Sequence, residues 1–161
     1  MFRKMRRFKQ ELSKEDTIKV FENGSYGTLA VLGDEGYPYA VPISYVYADG
    51  KLYFHCAKQG HKLDAVRSNA KASFCVVSQD KVLPEKLTTI YESAIAFGRT
   101  RVIDDNSEMQ KALEHIAQKY SAVNGEKNLE AIAKHWNEVC VIVLEIEHMS
   151  GKASMDIINS K

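Results

Sequence analysis

The chemically most informative stretch of the chain is Phe54-His55-Cys56-Ala57-Lys58-Gln59-Gly60-His61-Lys62. An apolar, strand-like run ends there, a glycine-containing loop follows, and His61-Lys62 opens a helix. The first turn of a helix has unpaired backbone N–H groups and the positive end of the helix dipole, so it favours an anion. Lys62 adds a full positive charge. His61 adds a hydrogen-bond donor that can become cationic. A phosphate group fits that set. The same residues also fit a plain exposed helix start with a solvated His and Lys.

Two further segments stand out. Val41-Pro42-Ile43-Ser44 interrupts a β-branched, aromatic-rich run with a proline. Proline has no N–H to give to a ladder, so the segment is an edge, a bulge or the mouth of a barrel. A backbone freed from one neighbour can offer N–H and C=O groups to a flat polar ring; a simple edge strand is the other reading. Tyr91-Glu92-Ser93 opens a long apolar strand with polar residues, which also suits a solvated strand end. The chain has no Gly-x-Gly-x-x-Gly, no P-loop and no Gly-x-Ser-x-Gly. Its five histidines show no metal-ligand spacing, so no metal site is expected. No residue must act as an acid or base, and the catalytic set is left unassigned; His61 and Tyr91 are candidates only through their position.

Composition limits what must hold these residues in place. With 161 residues, 45% hydrophobic and 27% charged, the chain suits one globular domain without staples. No apolar run is long enough for a membrane span. The formal net charge of +1 supports neither a nucleic-acid nor a membrane partner. Five of the 22 basic residues lie in the first ten positions, so 17 remain against 21 acidic ones, a net −4. The basic start has no apolar stretch after it and reads as a solvated terminus. Cys56, Cys75 and Cys140 are odd in number and lack a Cys-x-x-Cys pair. They read as reduced cysteines of a cytoplasmic protein.

The element order predicted is a helix from 14 to about 22, strands over 28–32, 39–47 and 51–57, and a short helix from Gly60 to before Asn69. Strands over 72–78 and 89–102 follow, the latter bent at Gly98. A helix opened by a Ser107-to-Gln110 capping box comes next, then a second short helix and a strand over 139–146. Hairpin-linked strands imply an antiparallel sheet. The expectation is an all-β core with added helices: six antiparallel strands in a small closed or partly closed barrel. The divisions are a basic segment 1–12, one domain 13–155 and a tail 156–161.

The blocks around residues 37–42, 54–64, 83–86, 91–93, 97–99, 145–147 and 151–153 resemble the NimA-like (5-nitroimidazole resistance protein-like) branch of the pyridoxamine 5′-phosphate oxidase-like proteins. Gly-His-Lys-Leu-Asp in its context is the specific part, and the resemblance spans about residues 13 to 155. It implies an FMN-binding split β-barrel and a homodimer with FMN at the subunit interface. By position, Val41, Pro42, Ile43 and Ser44 would line the isoalloxazine through backbone groups. His55 and Cys56 would lie beside the ribityl chain and phosphate, and His61 and Lys62 would hold the phosphate. Ser93 would approach the flavin, and Trp136 would reach across the dimer. The C-terminal Trp and Arg elements of true pyridoxamine phosphate oxidases are missing, which argues against that substrate. The implied activity is an FMN-dependent oxidoreductase, reduced by NAD(P)H and reoxidised by a small nitro-aromatic or quinone-like molecule. The alternatives are a flavin- or haem-binding carrier or sensor without turnover, and a dimerisation scaffold that has lost its cofactor.

Overall fold

The computed structural model describes residues 1–160; Lys161, the end of the expected tail, lies outside them. Helix α1 (Lys14–Asn23) is capped by Ser13, whose hydroxyl accepts the Asp16 N–H at 3.0 Å, and it buries Thr17, Val20 and Phe21. Strands β1 (Tyr26–Leu32), β2 (Pro38–Ser44), β3 (Val46–Ala48) and β4 (Lys51–Ala57) follow. Then come α2 (His61–Ser68), β5 (Lys71–Leu83), β6 (Thr88–Val102), α3 (Asn106–Ser121), α4 (Lys127–His135), β7 (Val139–Ala153) and the short α5 (Met155–Asn159).

All strand pairings are antiparallel, in the order β2-β1-β5-β6-β7-β4-β3. The sheet has seven strands rather than the expected six, because the 39–47 run breaks at Tyr45. The backbone N–H of Tyr45 donates to the Tyr120 hydroxyl of α3 at 2.9 Å instead of joining a ladder. The sheet does not close: β2 and β3 are its two ends. Pro42 sits on the end strand β2, where a missing N–H is tolerated. Gly98 lies at the register shift between β6 and β7, and a Cβ there would run into the Glu145 carbonyl. The start of α3 is also corrected. Its N-cap is Asp105, whose carboxylate accepts the Glu108 N–H at 2.7 Å, so Ser107 lies inside the helix.

Two cores share β7. Ile142 and Leu144 face the barrel interior with Phe21, Leu29, Phe54 and Phe74. Val141 and Val143 face the other way, against Met109, Ala112, Leu113 and Ile116 of α3. Burial on both faces accounts for the unbroken apolar run at the start of β7. The basic N-terminus packs on the sheet: Phe2 stacks on His148 with ring centroids 4.7 Å apart, and Leu12 N–H donates to Gly151 O at 2.9 Å.

Candidate functional site

β3 pairs only with residues 51–53 of β4. From Phe54 to Ala57, β4 has β7 on one side and no ladder partner on the other. β2 likewise has β1 alone as a ladder partner. These two open edges bound the split in the barrel, and the split ends at the β4–α2 connection.

That connection turns on Gly60, whose φ of +126° is rarely adopted by residues with side chains. Gly60 is the N-cap of α2, and no side chain caps the helix. Leu63 and Asp64 donate to Gly60 O at 2.9 and 3.2 Å, so the N–H groups of His61 and Lys62 have no intrahelical acceptor. A cleft of about 210 Å³ opens here, walled by Tyr39, Cys56, Gln59, Gly60, His61 and Lys62.

His61 is anchored. Its ring stacks on Tyr39 with centroids 4.1 Å apart, and its Nε2 accepts the Asp34 N–H at 3.3 Å. A ring accepting at Nε2 carries its proton on Nδ1 when neutral. Gly33 makes room for it, since a Cβ there would lie 2.9 Å from His61 Nε2. The imidazole thus ties the start of α2 to the β1–β2 turn.

Lys62 makes no ion pair among the described residues. Partial burial and then the Lys62 charge hold His55 below the usual histidine pKa, which favours the neutral ring. Burial and the facing Cys140 push the Cys56 thiol up to about 11, against the opposing pull of Lys62. Cys56 and Cys140 are direct cross-strand partners.

The fold therefore brings Cys56, His61 and Lys62 together at one cleft, with His55 next in the strand. The other predicted residues lie elsewhere. Val41 and Ile43 pack their side chains against the barrel core, while Pro42 and Ser44 alternate to the outer face. Ser93 also lies on the outer face, cross-strand to Val77 and Lys152. Trp136 ends α4, packs on the second core and borders a separate cavity with Lys58 and Arg67. Residue reasoning missed the anchoring of His61 by Tyr39, Gly33 and Asp34. The alternation of Tyr39, Val41 and Ile43 signals one inward face, but the turn must fold before its distance to α2 is visible.

The outer face of the sheet has its own character. Two cross-strand rows, Pro42–Thr28–Cys75–Ile95–Ser150 and Ala40–Ala30–Ser73–Phe97–His148, hold small or apolar residues apart from His148, and no carboxylate, Lys or Arg. Ile95 and Phe97 are still 38% and 37% exposed beneath the N-terminal segment.

An open seven-stranded antiparallel barrel with flanking helices and a cleft at the split is the split-barrel fold. A family model described as pyridoxamine 5′-phosphate oxidase matches residues 13–153, and the chain belongs to that family. A search of curated proteins gave no match. Solved structures with this fold include a candidate 5-nitroimidazole antibiotic resistance protein from Bacteroides thetaiotaomicron, with TM-score 0.73 and 21% identity, covering 89% of this chain and 86% of that one. The FAD and heme binding protein from Mycobacterium smegmatis has TM-score 0.76 and 23% identity over 94% and 79% of the two chains. An FAD-binding protein from Mesorhizobium loti has TM-score 0.60 and 24% identity over 90% and 97%.

Proposed function

We propose that this chain is an FMN-binding oxidoreductase that reduces small nitro-aromatic or quinone-like acceptors at the expense of NAD(P)H. The observation that carries the reading is the split itself. Two unpaired strand edges run to a helix start whose free N–H groups and Lys62 suit a phosphate. The residues fit the group: Gly60 leaves open space at the cradle, and Lys62 makes no ion pair among the described residues. Bound flavin would supply the electron chemistry. The chain's own part is placement. Lys62 and the α2 amides hold the phosphate, His61 fixes the helix start, and the backbone of Val41, Pro42, Ile43 and Ser44 lines the ring.

The reading includes a homodimer. The parts of the two cross-strand rows on β2, β1 and β5, beside the N-terminal segment that covers the β6–β7 end, are the face offered to a second copy; Pro42 lies on them and Ser44 next to them. A sheet face of small side chains without carboxylate, Lys or Arg suits an isologous two-fold contact.

The absorption spectrum of the freshly purified protein tests the reading. A flavin spectrum bleached by NAD(P)H and restored by a nitro-aromatic is the expected result. Flavin that NAD(P)H does not bleach, or a Soret band, points to a carrier instead. Protein that is colourless and takes up no added FMN overturns the assignment.

A further inference from the structure

On the other side of the β4–α2 connection lies a second cavity, of about 390 Å³. Its size falls within the ordinary range of small-molecule sites. Met109, Val102, Ile103 and Val139 make an apolar floor, and Trp136 forms one wall. Lys58 and Arg67 supply two positive charges, and among the described residues no carboxylate lines the cavity. Lys58 makes no ion pair among the described residues. Among the described residues Arg67 pairs only with Asp64, at 3.9 Å with both side chains more than half exposed, which is a weak contact. The site thus pairs a partly buried indole with two available cations. Indoles stack on flat rings, and guanidinium and ammonium groups bind phosphate.

We propose that this cavity binds an adenylate group, with the purine against Trp136 and the phosphate held by Lys58 and Arg67. The chemistry is shared by free AMP, by the AMP half of FAD and by the AMP half of a nicotinamide dinucleotide. The inference does not depend on the flavin assignment, because AMP carries no isoalloxazine and the cavity shares no lining residue with the Lys62 cleft.

Trp136 is the sole tryptophan of the chain, so its emission reports this cavity directly. AMP should quench it saturably, and adenosine, lacking the phosphate, should bind at least tenfold more weakly. Lys58→Ala and Arg67→Ala should each weaken AMP about tenfold, the effect of one charge-assisted contact. Parallel titrations with FAD, FMN, NADH and NADPH then identify the source of the adenylate. Tighter FAD than FMN assigns it to the cofactor, and tighter dinucleotide than AMP assigns it to the electron donor. No saturable quenching by millimolar AMP overturns the proposal. So does quenching that is equal for adenosine and unchanged in both variants. FMN binding, followed by flavin absorbance in the same samples, reports separately on the Lys62 cleft. Trp136→Phe, checked for folding by circular dichroism, should keep weaker AMP binding when measured by calorimetry.

Discussion

Lys62 is the residue on which the phosphate cradle turns. Removing it takes a full charge from beside a phosphate of charge near −2, and a hydrogen bond to a charged group contributes about 1.5–3 kcal/mol. Lys62→Ala should weaken FMN roughly 10- to 100-fold and leave riboflavin, which lacks the phosphate, unchanged. Paired titrations of the two ligands check this, and equal FMN affinities return Lys62 to an ordinary surface role. The same substitution should raise the His55 pKa, because the Lys62 charge is one of the two causes that lower it. An NMR titration of the imidazole reads that directly. Cys56 makes the opposite kind of prediction. A thiol pushed up to about 11 is almost wholly protonated at neutral pH, and a protonated thiol is a poor nucleophile. Cys56→Ser should retain flavin and turnover, and Cys56 in the native protein should react slowly with thiol reagents. Turnover lost in a Cys56→Ser protein that still holds flavin would overturn that assignment.

At the level of elements, α3 is tied to the sheet through the break between β2 and β3. The Tyr120 hydroxyl accepts the Tyr45 N–H at 2.9 Å and lies 2.6 and 2.7 Å from the carbonyls of Ser25 and Tyr45. Tyr120→Phe removes these hydrogen bonds and should destabilise the fold by about 1–3 kcal/mol, read as a lower Tm. Next to it, Lys119 lies 3.9 Å above the Tyr45 ring, and burial lowers its pKa to about 8 from 10.5. Between those values the unfolded chain binds more protons than the folded one, so Lys119 makes stability rise with pH across that window. Lys119→Met should remove that slope from the curve of Tm against pH. The break at Tyr45 was not legible in the sequence, because 39–47 is uniformly β-prone and only the distant Tyr120 interrupts it. The polar halves of β5 and β7 were missed for a related reason. Residues 79–83 and 147–153 carry no apolar alternation and are strand only because their neighbours pair with them. Legible elements were those with local causes: the Ser13 cap, the bend at Gly98, and the turn of Gly60 into α2. The Asp105 cap was local too, but Ser107 offered a rival box two residues later.

For the molecule as a whole, the two uncharged rows predict association through a sheet face. The protein should scatter light as a particle of about twice the 18.2 kDa chain mass. Ile95→Lys places a charge within one row and should shift the particle toward the monomer without unfolding it. A native mass equal to one chain at micromolar concentration, with flavin bound, would remove the dimer from the reading. The candidate site was partly visible beforehand at this scale: the Gly60–Lys62 cradle follows from neighbours in sequence. The separation of Trp136 and Ser93 from that cradle does not, since it depends on how strands far apart in the chain come to lie side by side.

The double use of β7 also bears on how the protein is made. Its residues 139–145 pair with residues 51–57 of β4, and its two faces floor both cores. Every other strand leaves the ribosome before it. Until it arrives, the barrel lacks Ile142 and Leu144, and α3 has no Val141 or Val143 to rest on. Closing so long a loop is slow relative to local pairing, and the apolar faces waiting for it stay wet in the meantime. Nascent chains halted before residue 139 should therefore leave both apolar faces open to a holding chaperone, and release of residues 139–153 should let both cores fold together.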